Sequence, residues 1–257
     1  MQCGLSIIKF NCNKYHNMIC NDNLFTRKQL FLMECQKNPL LTKQKNSARL
    51  RMRKFNNMHL TSGMKFTSTH GFPQLQPYTG RTDFEVYPFA RRKGLCGANQ
   101  ALMFFDYDCS FDNAVWRRLE KTTIELKDFD YLFTPDYSLY VDENLTHQNI
   151  EFTYRTRFIG AYWQLCGFNV IPTASWGNAN SFIYSLEGLP SGSVLAVCGI
   201  GYKHCYASFE LWKYAIRRIE AELSPILILV YGEPVEVSGI HTPLKFIPDH
   251  ISKTFRK

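Results

Sequence analysis

The feature that most limits what this chain can fold into is a rhythm beginning near residue 100, in which short runs that are apolar throughout alternate with segments carrying one apolar face. The runs are Ala101–Asp106 (ALMFFD), Tyr131–Thr134, Asn169–Ala174 (NVIPTA), Ser193–Cys198 (SVLAVC) and Ile226–Tyr231 (ILILVY). Between them, helices are expected over Phe111–Leu126, Asn149–Cys166, Ser181–Leu186 and Phe209–Leu223. In the last of these, Phe209, Trp212, Ile216, Ile219 and Leu223 step by three and four and form one stripe. A strand apolar on both faces has to be covered on both, and helices with single apolar stripes are what cover it. The pattern predicts an α/β protein with a mostly parallel sheet of about five to six strands flanked by helices, as an open sheet or an incomplete barrel. The sixth strand is expected within Asp83–Phe89 (DFEVYPF), and the second run is expected to continue as strand through Asp136–Val141.

Charge divides the chain differently. The formal net charge is +8, but residues 1–70 hold 12 Lys plus Arg against Asp22 and Glu34, a net of +10, and the remainder stands at −2. Six of the twelve residues in Lys43–Lys54 (KQKNSARLRMRK) are basic. Three regions are expected: a basic, poorly ordered tail over 1–70, a single α/β domain over 71–240, and a C-terminal extension over 241–257. Met58 and Met64 stand just before the first globular-looking stretch and are alternatives to Met1 as the true start. The Lys43–Lys54 run is a candidate nucleic-acid arm, with a solvated extension as the competing account. Nine cysteines with no C-x-x-C pair argue for reduced thiols. No apolar run approaches the roughly 20 residues of a membrane span, so a cytoplasmic protein with no membrane partner is expected.

Ligands of parallel α/β proteins bind where strands end and helices begin. The first run ends in Asp106, Tyr107 and Asp108, and the second leads to Asp136, Ser138 and Tyr140. The third ends in Ser175, Trp176, Gly177 and Asn178, and the fifth in Tyr231, Gly232 and Glu233. Carboxylates delivered by several strands to one rim can share acid and base roles or hold a hard cation such as Mg. Asp106, Asp136 and Glu233 are therefore the candidate catalytic groups, and Asp106 with Asp108 the candidate metal ligands. Helix capping is the competing account for Asp108 and Asp142. Arg155 and Arg157, two apart on one helix, point about 200° from each other and cannot both face one ligand. One of them is a candidate anion binder. Ser138, Tyr140, Trp176 and Asn178 complete the candidate binding set. Gly199-x-Gly201 lacks the third glycine of a dinucleotide loop, and neither a Walker Gly-Lys-Ser/Thr nor a Gly-x-Ser-x-Gly elbow occurs.

The segments FFDYD, FTPDYSLYVD, YRTRFIGAYWQLCGFNVIPTASWGN and ILVYG, in this order and spacing, resemble the domain of unknown function numbered 4417. That family is bacterial and is met in phage, plasmid and other mobile-element settings. The resemblance covers roughly Phe72–Glu233 and rests on Asp106, Asp136, Ser138, Tyr140, Arg155, Arg157, Trp176 and Gly177. It implies no reaction, and Asn178 stands where the family often has an acidic residue. Two functions follow as expectations. One is a hydrolase or transferase of a mobile element with a carboxylate-lined site at the strand rim, acting on a phosphodiester or a glycosyl substrate. The other is a non-catalytic nucleic-acid-associated phage or plasmid protein that uses its basic N-terminal tail.

Overall fold

Each apolar run lies in a parallel sheet. The computed structural model describes residues 55–95, 99–202 and 205–248, and the Lys43–Lys54 run falls outside them. The strands are β1 (Glu85–Pro88), β2 (Gln100–Met103), β3 (Tyr131–Phe133), β4 (Asn169–Ile171), β5 (Val194–Cys198), β6 (Leu227–Tyr231) and β7 (Leu244–Ile247). The helices are α1 (Asp108–Val115), α2 (Leu119–Glu125), α3 (Thr146–Leu165), α4 (Phe182–Ser185) and α5 (Tyr206–Leu223).

The strands form two open sheets, β1-β2-β3-β4 and β5-β6-β7, with every pair parallel. A single bridge between Thr173 and Ala196 joins them, flanked by the Ala196 N–H to the Pro172 carbonyl and the Ala174 N–H to the Ala196 carbonyl, both 2.8 Å. Pro172 has no N–H to give, which interrupts the ladder where β4 passes to β5. Spatial order follows chain order without reversal, so right-handed crossovers put the helices on one face. The other face can be buried only if the sheet curls. It does: the rings of Phe105, just after β2, and Tyr231, at the end of β6, stack at 5.2 Å. Four strand spacings laid flat would separate those strands by about 19 Å. No pairing joins β1 to β7 among the described residues, so the curl stays open.

Register sorts the core. Phe133, Ile171, Ala196, Leu229 and Tyr231 belong to the inner set, while Leu195, Val197, Ile228 and Val230 meet Trp212, Ala215, Ile216 and Ile219 of α5. Alternate residues on one strand thus serve two cores, which is why the runs are apolar on both faces apart from a few residues, most of them at their ends. Phe104 takes the helix side and stacks on Trp163 of α3 at 5.6 Å. Each such side chain, fully buried, contributes about 2 kcal/mol.

Two expectations change. The helix expected over Phe111–Leu126 starts three residues earlier and breaks after Val115, because side chains take its carbonyls: Arg118 Nε donates to Asn113 O (3.2 Å), Thr122 Oγ1 to Ala114 O (2.5 Å) and Asn57 Nδ2 to Trp116 O (2.8 Å). Residues 136–141 are loop rather than strand, since the Asn149 side chain occupies both the N–H (2.7 Å) and the carbonyl (2.8 Å) of Tyr140. Past residue 240, Leu244–Ile247 pairs in register with β6, and before residue 71, Phe66 bridges Pro73. No helix of the described residues is long and apolar enough to cross a membrane.

Candidate functional site

The carboxyl ends of β2, β3 and β4 converge through side chains that are far apart in sequence. Asp108, first residue of α1, does not cap its own helix; its carboxylate accepts the Ser138 backbone N–H (3.1 Å) and the Ser138 hydroxyl (3.2 Å) across thirty residues. Asp136 accepts the Ser175 hydroxyl at 2.5 Å, which ties the end of β3 to the end of β4. The Asp136 carboxyl is pushed up to about 7, first by burial and then by the neighbouring Asp108 charge, against the pull of Ser175. Asp108 is raised as well, by burial, with the two Ser138 donors opposing. The Cys198 thiol, at the end of β5, is pushed up to about 12 by burial and by Asp136, so it stays protonated and unreactive at neutral pH.

Asp108, Asp136 and Ser138 are thus brought together, and Ser175 and Cys198 join them. Asp106 is turned back on its own chain, accepting the Tyr107 N–H at 2.7 Å. Among the described residues no group of three or more His, Cys, Asp or Glu side chains is placed to hold a metal ion. Glu233 is exposed beyond β6, and the Tyr202 phenol is raised by burial first and then by the Glu233 charge. Asn178 caps the turn before α4, accepting the Ser181 N–H at 3.1 Å, and donates to the Val141 carbonyl at 3.0 Å. Trp176 packs on Phe182, ring centroids 6.4 Å apart. Asp142 does cap, accepting the Asn144 N–H at 2.9 Å.

The two arginines lie on different sides of α3, as their spacing requires. Arg155 pairs with Asp112 (2.9 Å) and Glu151 (2.5 Å) and lies over the Trp116 ring at 5.2 Å, leaving only its Nε without a partner in the protein. Arg157 is buried and donates to the carbonyls of Glu187 (2.9 Å), Ser185 (2.5 Å) and Thr173 (3.4 Å); burial lowers its guanidinium to about 9. It binds the turn after α4 to the β4 continuation.

Residues 64–245 match the domain of unknown function DUF4417. The chain belongs to the DUF4417 family. Among its relatives, the Gene 1 protein of Mycobacterium phage L5 is 32% identical over 186 residues, covering 70% of this chain and 79% of the phage protein. The Gene 1 protein of Mycobacterium phage D29 is 28% identical over 181 residues, covering 70% and 66%. No solved structure matches. The DUF4417 match spans β1 to β6, the first two residues of β7 and the whole Asp108, Asp136, Ser138 and Ser175 group.

Asp112 is not among the residues that the sequence points to, and Ser175, noted there at the end of the third run, is given no catalytic or binding role. Ser175 carried one signal, as the first polar residue clear of the Asn169–Ala174 run. Asp112 carried another, four residues after Asp108 and so on the same face of α1. Besides Arg155, Asp112 accepts the Tyr137 hydroxyl at 3.0 Å, and burial raises that phenol.

Proposed function

We propose that this phage-related protein is a hydrolase or transferase whose reaction runs at the rim shared by β2, β3 and β4, with Asp136 as general acid or base and Asp108 as the carboxylate beside it. The observation that carries the reading is the Asp136 carboxyl, held up to about 7 by burial while hydrogen-bonded to Ser175. A group that keeps its proton about half the time near neutral pH can give and take it with little loss in either direction. Unequal surroundings divide the two carboxyls: Asp136 lies in the drier place, and Asp108 faces two donors from Ser138. That is the arrangement by which carboxyl pairs take separate acid and base roles. Ser175 orients Asp136, and Ser138 orients Asp108.

The test is a panel of nitrophenyl glycosides, phosphodiesters and esters assayed with the full chain and its Asp136→Asn and Asp108→Asn variants, alongside a spectroscopic titration of the Asp136 carboxyl. Turnover that falls about 10²-fold or more in Asp136→Asn supports the reading, together with a carboxyl titrating near neutrality. An Asp136 titrating in the ordinary carboxylate range, or a double variant with full turnover, sinks it. Loss of function on removing residues 1–57 with both carboxyls dispensable would return the role to the basic run.

A further inference from the structure

Charge is spread unevenly over the folded part of the chain. The 3-10 turn Phe89–Arg91 runs on into Arg92 and Lys93, and Phe89 seats it: its ring stacks on Phe104 at 4.9 Å, and Phe104 meets Phe111 of α1 edge-on at 5.8 Å. The turn therefore packs against α1, whose junction with α2 carries Arg117 and Arg118. Burial lowers the Arg92 guanidinium, Glu125 raises it and Arg118 lowers it again, so Arg92 and Arg118 stand within range of each other's charge. These two stretches bring together five cations, leaving 13 Lys plus Arg against 20 Asp plus Glu in the rest of residues 71–257.

Little of this charge is neutralised by the fold. Arg91 and Lys93 are exposed and form no hydrogen bond or ion pair with the described residues. Arg92 lies 3.9 Å over the Phe89 ring and donates one N–H to the Phe89 carbonyl at 3.1 Å, and Arg118 donates its Nε to the Asn113 carbonyl at 3.2 Å. Each guanidinium is thus anchored through one N–H and has others to give. The carboxylates nearby are engaged, Asp112 by Arg155 (2.9 Å) and Arg117 (3.5 Å), Glu120 by His59 (3.0 Å) and Glu125 by Lys121 (3.8 Å). Elsewhere Arg81, Lys213 and Arg218 each have a carboxylate partner. The chain brings further charge to the same place. The buried Asn57 donates to the Trp116 carbonyl, next to Arg117, at 2.8 Å, and the Lys43–Lys54 run joins the described chain at Phe55, two residues before Asn57.

We infer that Arg91, Arg92, Lys93, Arg117 and Arg118 form a docking surface for the phosphate backbone of a nucleic acid, which the Lys43–Lys54 run extends. A nucleic-acid strand presents a negative charge about every 3.4 Å, so cations from two separate elements can engage several phosphates in succession and release their counterions. Four of the five are arginines, whose planar fork takes two phosphate oxygens at once, and this favours a phosphodiester over the scattered carboxylates of an acidic protein. The surface does not depend on the acid–base reading of Asp136, because none of the five bonds to Asp108, Asp136 or their serines.

The test follows, by fluorescence anisotropy, a labelled DNA duplex of about 20 base pairs and its single strand binding to the full chain between about 50 and 200 mM salt. The basic run stays intact in every protein. Arg91→Gln/Lys93→Gln/Arg118→Gln is compared with Arg81→Gln/Lys213→Gln/Arg218→Gln, which removes equal charge from cations that have carboxylate partners. The first triple should weaken binding about tenfold or more at the lowest salt and flatten the slope of log K against log salt by about two to three, while the second keeps the wild-type slope. Arg91→Gln/Lys93→Gln, which removes no bond of the fold, should flatten it by about half as much as a further check should the first triple unfold. No binding of either nucleic acid, or an equal loss in both triples, overturns the inference. So does poly-glutamate, or a phosphatidylserine vesicle, bound as tightly as DNA at the same salt and lost in the first triple.

Discussion

The two halves of the curled sheet end their strands differently. After β2, β3 and β4 the chain opens and side chains from different connections meet: Ser138 on Asp108, Ser175 on Asp136, Asn149 on Tyr140. After β5 and β6 the backbones close on each other instead. The Gly199 N–H donates to the Tyr231 carbonyl at 2.8 Å, and the Gly232 N–H to the Ile247 carbonyl at 2.9 Å. A Cβ on Gly232, where φ is +147°, would lie 2.8 Å from the Gly199 oxygen. Trp212 Nε1 closes the same end by donating to the Cys198 carbonyl at 2.9 Å. Both halves looked alike as strand ends rich in Gly, Asp, Tyr and Glu. The difference teaches that side chains from separate strand ends meet where the chain leaves the sheet in loops, and not where backbone hydrogen bonds run on between the strand ends.

That contrast can be broken at several points, and the largest effect is expected beneath the open half. Arg157→Met leaves three buried carbonyls without a donor and should cost about 3–5 kcal/mol in urea unfolding. Arg157→Lys, with a single point of attachment, should recover little of it. If Arg157→Met unfolds at the wild-type midpoint, the buried clamp is not what positions the β4 end.

Next come the closures. Gly232→Ala meets backbone at 2.8 Å and Gly177→Ala meets the Tyr140 carbonyl at 2.3 Å, and each should cost about 2–3 kcal/mol by thermal melting. Only Gly177→Ala should also lower turnover in the panel described above, because only it displaces the loop that carries Ser138 and Tyr140. Equal loss of turnover in both would erase the distinction between the halves.

A smaller effect has a pH signature. With the Asp136 carboxyl raised from 3.8 to about 7, the folded state holds a proton that the unfolded chain releases. Its contribution is therefore fully present below about pH 4 and is lost as pH rises to about 7. Asp136→Asn should thus gain stability over wild type at pH 8, on the order of 2 kcal/mol once solvent at this half-buried group is allowed for, and none at pH 4. A constant offset between the two pH values would contradict the raised carboxyl. Smallest of all, Glu233→Gln in the closed half should leave melting temperature and panel turnover within error of wild type.

How much of this was legible beforehand follows the range of the physics involved. Parallel strands and the α5 stripe were readable because burial on two faces, or on one, writes a period into neighbouring residues, as in SVLAVC or Phe209 through Leu223. The 200° separation of Arg155 and Arg157 was readable for the same local reason, and they do serve different sides of α3. The break after Val115 was not, since the donors that take its carbonyls include Asn57, some sixty residues away. The family could be read from ordered short segments.

Sequence alone determined the α/β class, the parallel strands and the polar character of their ends, since these depend on the period and chemistry of adjacent residues. Tertiary structure alone decided which carboxylates meet. Asp108 reaches Ser138 across thirty residues and Asp136 reaches Ser175 across thirty-nine. Asp106, in the same D-Y-D triplet as Asp108, turns back to the next N–H in the chain. Contacts over such separations depend on strand register and on how far the sheet curls, and neither leaves a local mark in the chain.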